Sequence, residues 1–279
     1  MNQLTSEEIL SYKVTRRFPL PLDAVYRLQP HVITVKVHGG LEHLPKEGPA
    51  LIAVKHQGFW DEYLLRLLVE KATGRKDDIY VFAGAGDFPA QKGLIWSFKS
   101  ILFRIATVFY NYGHATIPIR QGSWRKTLKR LAEERNLLLL HSPEGYPSIQ
   151  MIRAKVGIGL LQYDLNIPVI PIALWGLTPF FISRSRMGAA HFVEWLRCFP
   201  CLRHLRNPFY PKERETANIL IGEPLYPFPD QSQYTRYHDR KRLYQIYTDR
   251  IMEKIASMMP EQFRGYYKDK VKKEASPDG

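Results

Sequence analysis

A histidine and an aspartate, five residues apart, are the first residues in this sequence whose types and spacing could do chemistry. His56 and Asp61 follow the apolar run 51–54. A carboxylate that accepts a hydrogen bond from one ring nitrogen fixes the tautomer and stabilises the imidazolium formed when the other nitrogen takes a proton. On one continuous helix the two side chains would point about 140° apart, so contact requires a turn between them, for which Gly58 is suited. The pair predicts a general base that activates a hydroxyl, and the competing interpretation is a structural histidine at a strand end.

Three further blocks follow this pair along the chain. They are an apolar block that ends at Arg120, a Pro143-Glu144-Gly145 block after four leucines, and an apolar block at 167–172 built on Pro168 and Pro171. The four blocks, in this order, resemble those of the glycerophospholipid acyltransferase family, which includes glycerol-3-phosphate and lysophosphatidate acyltransferases. The resemblance covers roughly residues 50–175 and extends weakly to 221–224.

The resemblance implies a reaction and a role for each matched residue. His56 would deprotonate an acceptor hydroxyl with Asp61 as its partner, and the hydroxyl would attack the thioester of an acyl-coenzyme A or an acyl carrier protein. Arg120 would hold the acceptor phosphate, since a planar guanidinium offers paired donors. Glu144 would bind or position the acceptor, and Gly145 would permit a tight turn. The leading acceptor is 1-acyl-sn-glycerol 3-phosphate, and neither a metal nor a redox cofactor is expected.

Two departures from the family pattern bear on the acceptor. Tyr146-Pro147 stands where the family usually has Thr and Arg, so a cation expected near the phosphate is missing. Arg153 or Lys155 could replace it, and Lys155 is taken as the candidate because Lys155-x-Gly157 is similar to a Lys-Gly pair that commonly follows this block. Lys55 and Gly58 are the second departure, at positions where Asn and Ser are frequent. A different lyso-lipid or an amphipathic alcohol therefore remains the alternative acceptor.

The elements that must position these residues alternate between strands and helices. This alternation predicts an α/β fold, with a mixed sheet covered by helices and with ligands beyond the carboxyl ends of the strands. Strands are predicted at 32–37, 51–54, 79–82, 116–119, 137–140, 169–173 and 218–221, and helices near 61–71, 93–106, 123–135, 151–164 and 236–258. We divide the chain into an N-terminal helical arm (1–30), an acyltransferase domain (31–265) and a loosely held charged tail (266–279).

Composition indicates what the protein binds. The 279 residues carry a formal net charge of +13, which implies an anionic partner. No run approaches the roughly 18 apolar residues of a membrane span, and no secretory signal layout begins the chain. We therefore expect a peripheral protein on the cytoplasmic side of a membrane.

Two stretches suit an anionic membrane surface, because residues 93–110 and 180–212 interleave aromatic and basic side chains. Core packing is the competing interpretation for the aromatic side chains of 93–110. The same mixture would serve a basic nucleic-acid-binding protein, which is the alternative from another functional class. That reading is disfavoured because it gives the four blocks no use. Cys198 and Cys201 have no second ligand pair at zinc spacing, so no metal site is expected.

Overall fold

The computed structural model describes residues 33–57, 61–75, 79–83, 116–118, 128–129, 132–133, 137–177, 215–228 and 237–274. The predicted N-terminal arm, the predicted helix at 93–106 and the basic stretch 180–212 lie outside these ranges. Of the predicted helix at 123–135, residues 128–129 and 132–133 are described and are helical.

Within the described ranges the strands form one seven-stranded sheet. They are β1 (Ile33–Gly39), β2 (Ala50–Val54), β3 (Ile79–Ala83), β4 (Thr116–Pro118), β5 (Leu138–His141), β6 (Val169–Trp175) and β7 (Glu215–Ile221). Their order across the sheet is β1-β7-β6-β2-β5-β3-β4. β6 and β7 run antiparallel and all other neighbours run parallel, so the predicted α/β fold with a mixed sheet is confirmed.

The sequence explains which strands lie at the centre. Every residue of β2 is buried, as are the three leucines of β5, and such continuous apolar runs are typical of parallel strands covered on both faces. β1 alternates instead, with buried Ile33, Val35 and Val37 between more exposed positions that include Lys36 and His38. An alternating strand is tolerated at the edge of the sheet, where β1 lies.

Helices cover both faces of the sheet. They are α1 (Asp61–Thr73), α2 (Gly157–Leu165), α3 (Tyr237–Ser257) and α4 (Lys268–Glu274), together with single 3-10 turns at Leu41–His43, Glu261–Phe263 and Gly265–Tyr267. Ile52 of β2 belongs to the same core as Leu65 of α1, whereas Leu51 belongs to the opposite core with residues of α2 and α3. No described helix is long and apolar enough to cross a bilayer.

The helix predicted at 151–164 is wrong over its first six residues, because α2 begins only at Gly157. The main chain of 151–155 is committed to distant partners instead. Met151 N donates to the Phe263 carbonyl at 2.9 Å, and Lys155 N donates to the Pro143 carbonyl at 3.1 Å. Hydrogen bonds to loops far along the chain have replaced those of a helical turn, which a local pattern does not reveal.

The expectation of a loosely held tail is also wrong for residues 268–274, which form α4. Tyr267, at the end of the preceding turn, is fully buried. Lys270 Nζ lies 3.4 Å from Asp249 Oδ2 and 3.3 Å from Glu253 Oε1 of α3. A buried aromatic ring and two ion pairs thus attach this charged segment to the rest of the molecule.

Candidate active site

The candidate residues lie where three neighbouring parallel strands end. β2 pairs with β5 on one side and β6 on the other, with Ala53 opposite His141 and Val54 opposite Ile172. The residues that follow these strands therefore meet at one edge of the sheet, which is where α/β proteins bind ligands. Gln57 after β2 accepts a hydrogen bond from Leu177 N after β6 at 3.1 Å.

The structure brings His56 and Asp61 into contact. His56 Nδ1 lies 2.9 Å from Asp61 Oδ2, and the same oxygen accepts a short hydrogen bond from Gln57 N. Asp61, the first residue of α1, is fully buried, whereas 11% of the His56 side chain is exposed. A buried carboxylate behind a partly exposed imidazole is an arrangement suited to proton transfer at Nε2.

Glu144 holds the main chain around this pair. Its Oε2 accepts a hydrogen bond from His56 N at 2.9 Å, and its Oε1 accepts one from Ile152 N at 2.8 Å. The side chain is buried, with 1% of the residue exposed. Burial raises the pKa of Glu144 above its usual value, although the Lys55 ammonium and the two main-chain donors oppose that shift. Since both oxygens have main-chain donors, this geometry favours positioning of His56 over direct contact with an acceptor.

Gly145 forms the turn that follows Glu144. Its φ of +73° lies in the left-handed region, and its N–H donates to the Ser142 carbonyl at 3.1 Å. A Cβ at this position would also approach Lys155 Nζ to 3.2 Å. The turn therefore favours glycine for its backbone conformation, and a larger residue would also shift the end of the Lys155 side chain by a few tenths of an ångström.

Of the two cations considered as replacements after this turn, Lys155 is the one that reaches it. Its Nζ lies 5.1 Å from the centre of the Tyr146 ring, at the departure from the family pattern. Arg153 instead places its guanidinium carbon 6.0 Å from the ring centre of Tyr266. Of Arg153 and Lys155, Lys155 is thus the one that lies beside the Gly145 turn.

Lys55 belongs to the site, although its place in the sequence did not predict a role for it. It is fully buried, and its Nζ donates to the carbonyls of His56, at 3.0 Å, and Ser148. Nζ also lies 3.9 Å from Glu144 Oε2. Burial lowers the pKa of Lys55, while Glu144 and Asp61 oppose that shift. Lys55 and Glu144 therefore hold the main chain of His56 from two sides. Lys55 binds its carbonyl, and Glu144 binds its N–H.

One signal in the sequence could have found this ion pair. Lys55 directly follows the buried run of β2, and Glu144 lies just after the buried run of β5. Opposite charges after two apolar strands are expected to pair if the strands are neighbours, because unpaired buried charges are very costly. The signal is usable only once the order of the strands is known.

Several predicted residues lie outside the described ranges. These are Gly58 and Arg120 of the first two blocks, and Cys198 and Cys201. Among the residues that are described, no three His, Cys, Asp or Glu side chains converge in a way that could hold a metal ion.

Comparison with known proteins adds a family. The family described as Acyltransferase matches residues 34–175, just over half of the chain. Among solved structures, the chain is similar to the crystal structure of the 1-acyl-sn-glycerophosphate (LPA) acyltransferase, PlsC, from Thermotoga maritima. The identity is 14%, the match covers 88% of this chain and 77% of that chain, and the TM-score is 0.44. No curated protein matches the chain.

Proposed function

Since the chain belongs to the acyltransferase family, we propose that it moves a fatty acyl group from an acyl thioester to a hydroxyl of a lysophospholipid-type acceptor. The leading acceptor is 1-acyl-sn-glycerol 3-phosphate, and the donor is acyl-coenzyme A or an acyl carrier protein. The observation that carries the proposal is the 2.9 Å contact between His56 Nδ1 and Asp61 Oδ2. It lies inside the segment that matches the family.

His56 is the general base in this proposal. Its Nε2 takes the proton of the acceptor hydroxyl as the hydroxyl oxygen attacks the thioester carbonyl carbon. The tetrahedral intermediate then collapses, the carbon–sulfur bond breaks, and the thiolate takes up the proton that His56 holds. The products are an ester and a free thiol. Asp61 keeps the proton of neutral His56 on Nδ1 and stabilises the imidazolium while it exists.

The remaining residues position the groups that react. Lys55 and Glu144 fix the main chain of His56 from its two sides, so that the imidazole has one location relative to the substrates. Arg120 is proposed to bind the acceptor phosphate, and Lys155, beside the Gly145 turn, supplies the second cation. The chemistry needs a base and donors to the oxyanion, so we propose no metal or redox cofactor.

The acceptor is amphipathic and the acyl chain is apolar, which favours reaction at a lipid surface. We propose that the protein works as a peripheral protein on the cytoplasmic side of a membrane. The net charge of +13 supports attraction to anionic lipid.

A panel of acceptors tests the proposal. Purified protein is given acyl-coenzyme A with 1-acylglycerol 3-phosphate, with the unphosphorylated 1-acylglycerol, or with no acceptor, and the lipid product is identified by mass spectrometry. The phosphorylated acceptor should be converted best. Arg120→Ala should raise the KM for that acceptor by the equivalent of about 1.5–3 kcal/mol, since a charged hydrogen bond is lost.

Other outcomes would redirect or reject the proposal. Equal use of both acceptors, with no effect of Arg120→Ala, would favour a different lyso-lipid or an amphipathic alcohol. No product from any acyl donor, together with tight, salt-sensitive binding of RNA or DNA, would leave nucleic-acid binding as the function.

A further inference from the structure

An exposed loop beside the candidate active site carries large apolar side chains. This segment, residues 145–155, is called the rim loop. Among described residues, six large hydrophobic side chains are exposed, and three belong to this loop: Tyr146 at 62%, Ile149 at 42% and Ile152 at 38%. Exposed apolar groups concentrated in so short a segment mark a surface that contacts another apolar phase.

The main chain of the loop is held by the residues beneath it, which leaves its apolar side chains on the outside. Met151 and Ala154 are buried. The main chain of Met151 exchanges hydrogen bonds with Phe263 and Tyr266, both at 2.9 Å, and Ala154 N donates to the Tyr267 hydroxyl at 3.0 Å. A rigid platform that presents apolar groups can enter another phase without first becoming ordered.

The charges of this surface indicate which apolar phase it contacts. The rim loop contains no Asp or Glu but does contain Arg153 and Lys155. Neither cation forms an ion pair in the described part of the chain. Nearby Lys268 and Lys270, by contrast, are paired with Glu261 and with the carboxylates of α3 respectively. The uncompensated charge of the surface is therefore positive.

Tyr266 adds an aromatic group next to these cations. It is 48% exposed, and its ring centre lies 6.0 Å from the guanidinium carbon of Arg153 and 5.3 Å from the ammonium of Lys270. Tyrosines with adjacent cations are typical of the depth at which lipid headgroups meet acyl chains.

We propose that the rim loop and Tyr266 form the surface by which this protein sits on an anionic lipid bilayer. Tyr146, Ile149 and Ile152 enter the headgroup region, Arg153 faces anionic headgroups, and Lys155 stays with the phosphate of the acceptor. The choice of a bilayer rests on the proposed function, in which the acceptor is a lipid. Glu144, which bonds both to His56 and to the loop, then places the base next to the surface that delivers the acceptor.

The chain offers a matched control for the apolar part of this surface. Tyr226 and Ile246 are 64% and 40% exposed, close to the values for Tyr146 and Ile149. Both lie outside the rim loop, Tyr226 after β7 and Ile246 on α3. Changing them therefore removes a similar exposed apolar area without altering the proposed surface.

Vesicle binding tests the proposal. The full chain is sedimented with phosphatidylcholine vesicles that contain about 30% phosphatidylglycerol, at low salt, where surface attraction is strongest. The double variant Tyr146→Ser/Ile149→Ser should bind about tenfold more weakly than wild type, because two apolar side chains no longer leave water. Tyr226→Ser/Ile246→Ser should bind within about twofold of wild type, since its side chains stay in water either way.

A charge reversal separates the electrostatic part. Arg153→Glu should weaken binding to the anionic vesicles severalfold and leave binding to pure phosphatidylcholine unchanged. Arg242→Glu, an exposed residue of α3, controls for the change in net charge. Near-ultraviolet circular dichroism of every variant confirms that each is folded.

The proposal is overturned if the rim double variant binds like wild type, or if the control pair loses as much. It is also overturned if wild type ignores vesicles and the rim variants instead lose binding to an acidic acyl carrier protein. Thiol release with a dispersed short-chain acceptor separates the two proposals. If wild type releases thiol normally but the rim double variant binds vesicles like wild type, only the proposed surface is rejected. If wild type releases no thiol but the rim variants lose vesicle binding as expected, only acyl transfer is rejected.

Discussion

Two carboxylates contact His56, one from the start of α1 and one from the loop after β5. Asp61 bonds to the imidazole ring, at 2.9 Å from Nδ1. Glu144 bonds to the main chain, at 2.9 Å from His56 N, and has the buried ammonium of Lys55 3.9 Å away. The same chemical group at nearly the same distance therefore meets different parts of one residue.

This difference gives the two carboxylates different roles, Asp61 in proton transfer and Glu144 in positioning His56. A carboxylate on the ring changes how readily the imidazole takes and returns a proton, so its removal should lower the rate. A carboxylate on the main chain, paired with a buried cation, determines where the imidazole lies, so its removal should lower stability first. This distinction would be contradicted by an Asp61 variant that keeps its rate or by a Glu144 variant that keeps its stability.

The largest expected effect is the loss of kcat when Asp61, the carboxylate on the imidazole ring, is changed. Asp61→Asn should lower kcat for acyl transfer by about 10²–10⁴-fold, because the amide neither fixes the productive tautomer nor stabilises the imidazolium. Steady-state thiol release measures the rate, and thermal unfolding measures the stability of the same sample. Asp249→Asn, which alters a carboxylate paired with Lys270 on α3, is the matched control and should keep wild-type kcat. A folded Asp61→Asn protein with nearly normal kcat would contradict the assignment.

The next largest effect is the loss of stability when Lys55 or Glu144, which bind the main chain of His56, is changed. Lys55→Met or Glu144→Gln alone should cost about 3–5 kcal/mol of unfolding free energy, since each leaves an uncompensated buried group. The double variant should lose clearly less than the sum, and urea unfolding of all four proteins measures the coupling. Lys129 Nζ also lies 3.9 Å from its partner, Glu133 Oε1, but the pair is exposed. Lys129→Met should change stability by no more than about 0.5 kcal/mol. Additive losses in the buried pair would show that the two charges do not support each other.

A smaller effect is the pH dependence of Lys55→Met. Without the lysine, the pKa of Glu144 should rise further, because burial already raises it and the Lys55 ammonium opposes that rise. A carboxyl whose pKa is higher in the folded state than in the unfolded state stabilises at low pH, and this contribution is lost as the pH rises through the folded pKa. The urea midpoint of the variant should therefore fall further behind wild type at about pH 8 than at about pH 5. A gap that narrows with pH would contradict this sign.

The strands were predictable from the sequence, and the support of the base was not. β2, β5 and β6 are buried apolar runs, and a strand that is buried on both faces can be recognised from its continuous apolar sequence. The Lys55 and Glu144 pair arises because β2 and β5 are neighbours, although Glu144 lies 88 positions along the chain from His56, whose N–H donates to it. Such pairing depends on the order of the strands, which no local pattern contains.

The prediction of where α2 begins was wrong for a related reason. Residues 151–156 have a composition compatible with a helix, but Glu144 takes the Ile152 N–H and the segment at 263–266 takes both main-chain groups of Met151. Partners that the fold supplies from a distance outweighed a weak local preference. The pairing of His56 with Asp61 was predicted from their spacing together with the resemblance to the family, whereas the hold of Lys55 and Glu144 on His56 required the structure.

The most direct test of the central claim is release of free thiol from acyl-coenzyme A on anionic vesicles that contain 1-acylglycerol 3-phosphate, measured for wild type, His56→Ala and His38→Ala. His38 is an exposed histidine of the edge strand β1, and it bonds to Asn218 rather than to the candidate site. Acceptor-dependent release should survive His38→Ala and fall by about 10²–10⁴-fold in folded His56→Ala. Substantial acceptor-dependent release by folded His56→Ala would contradict this prediction.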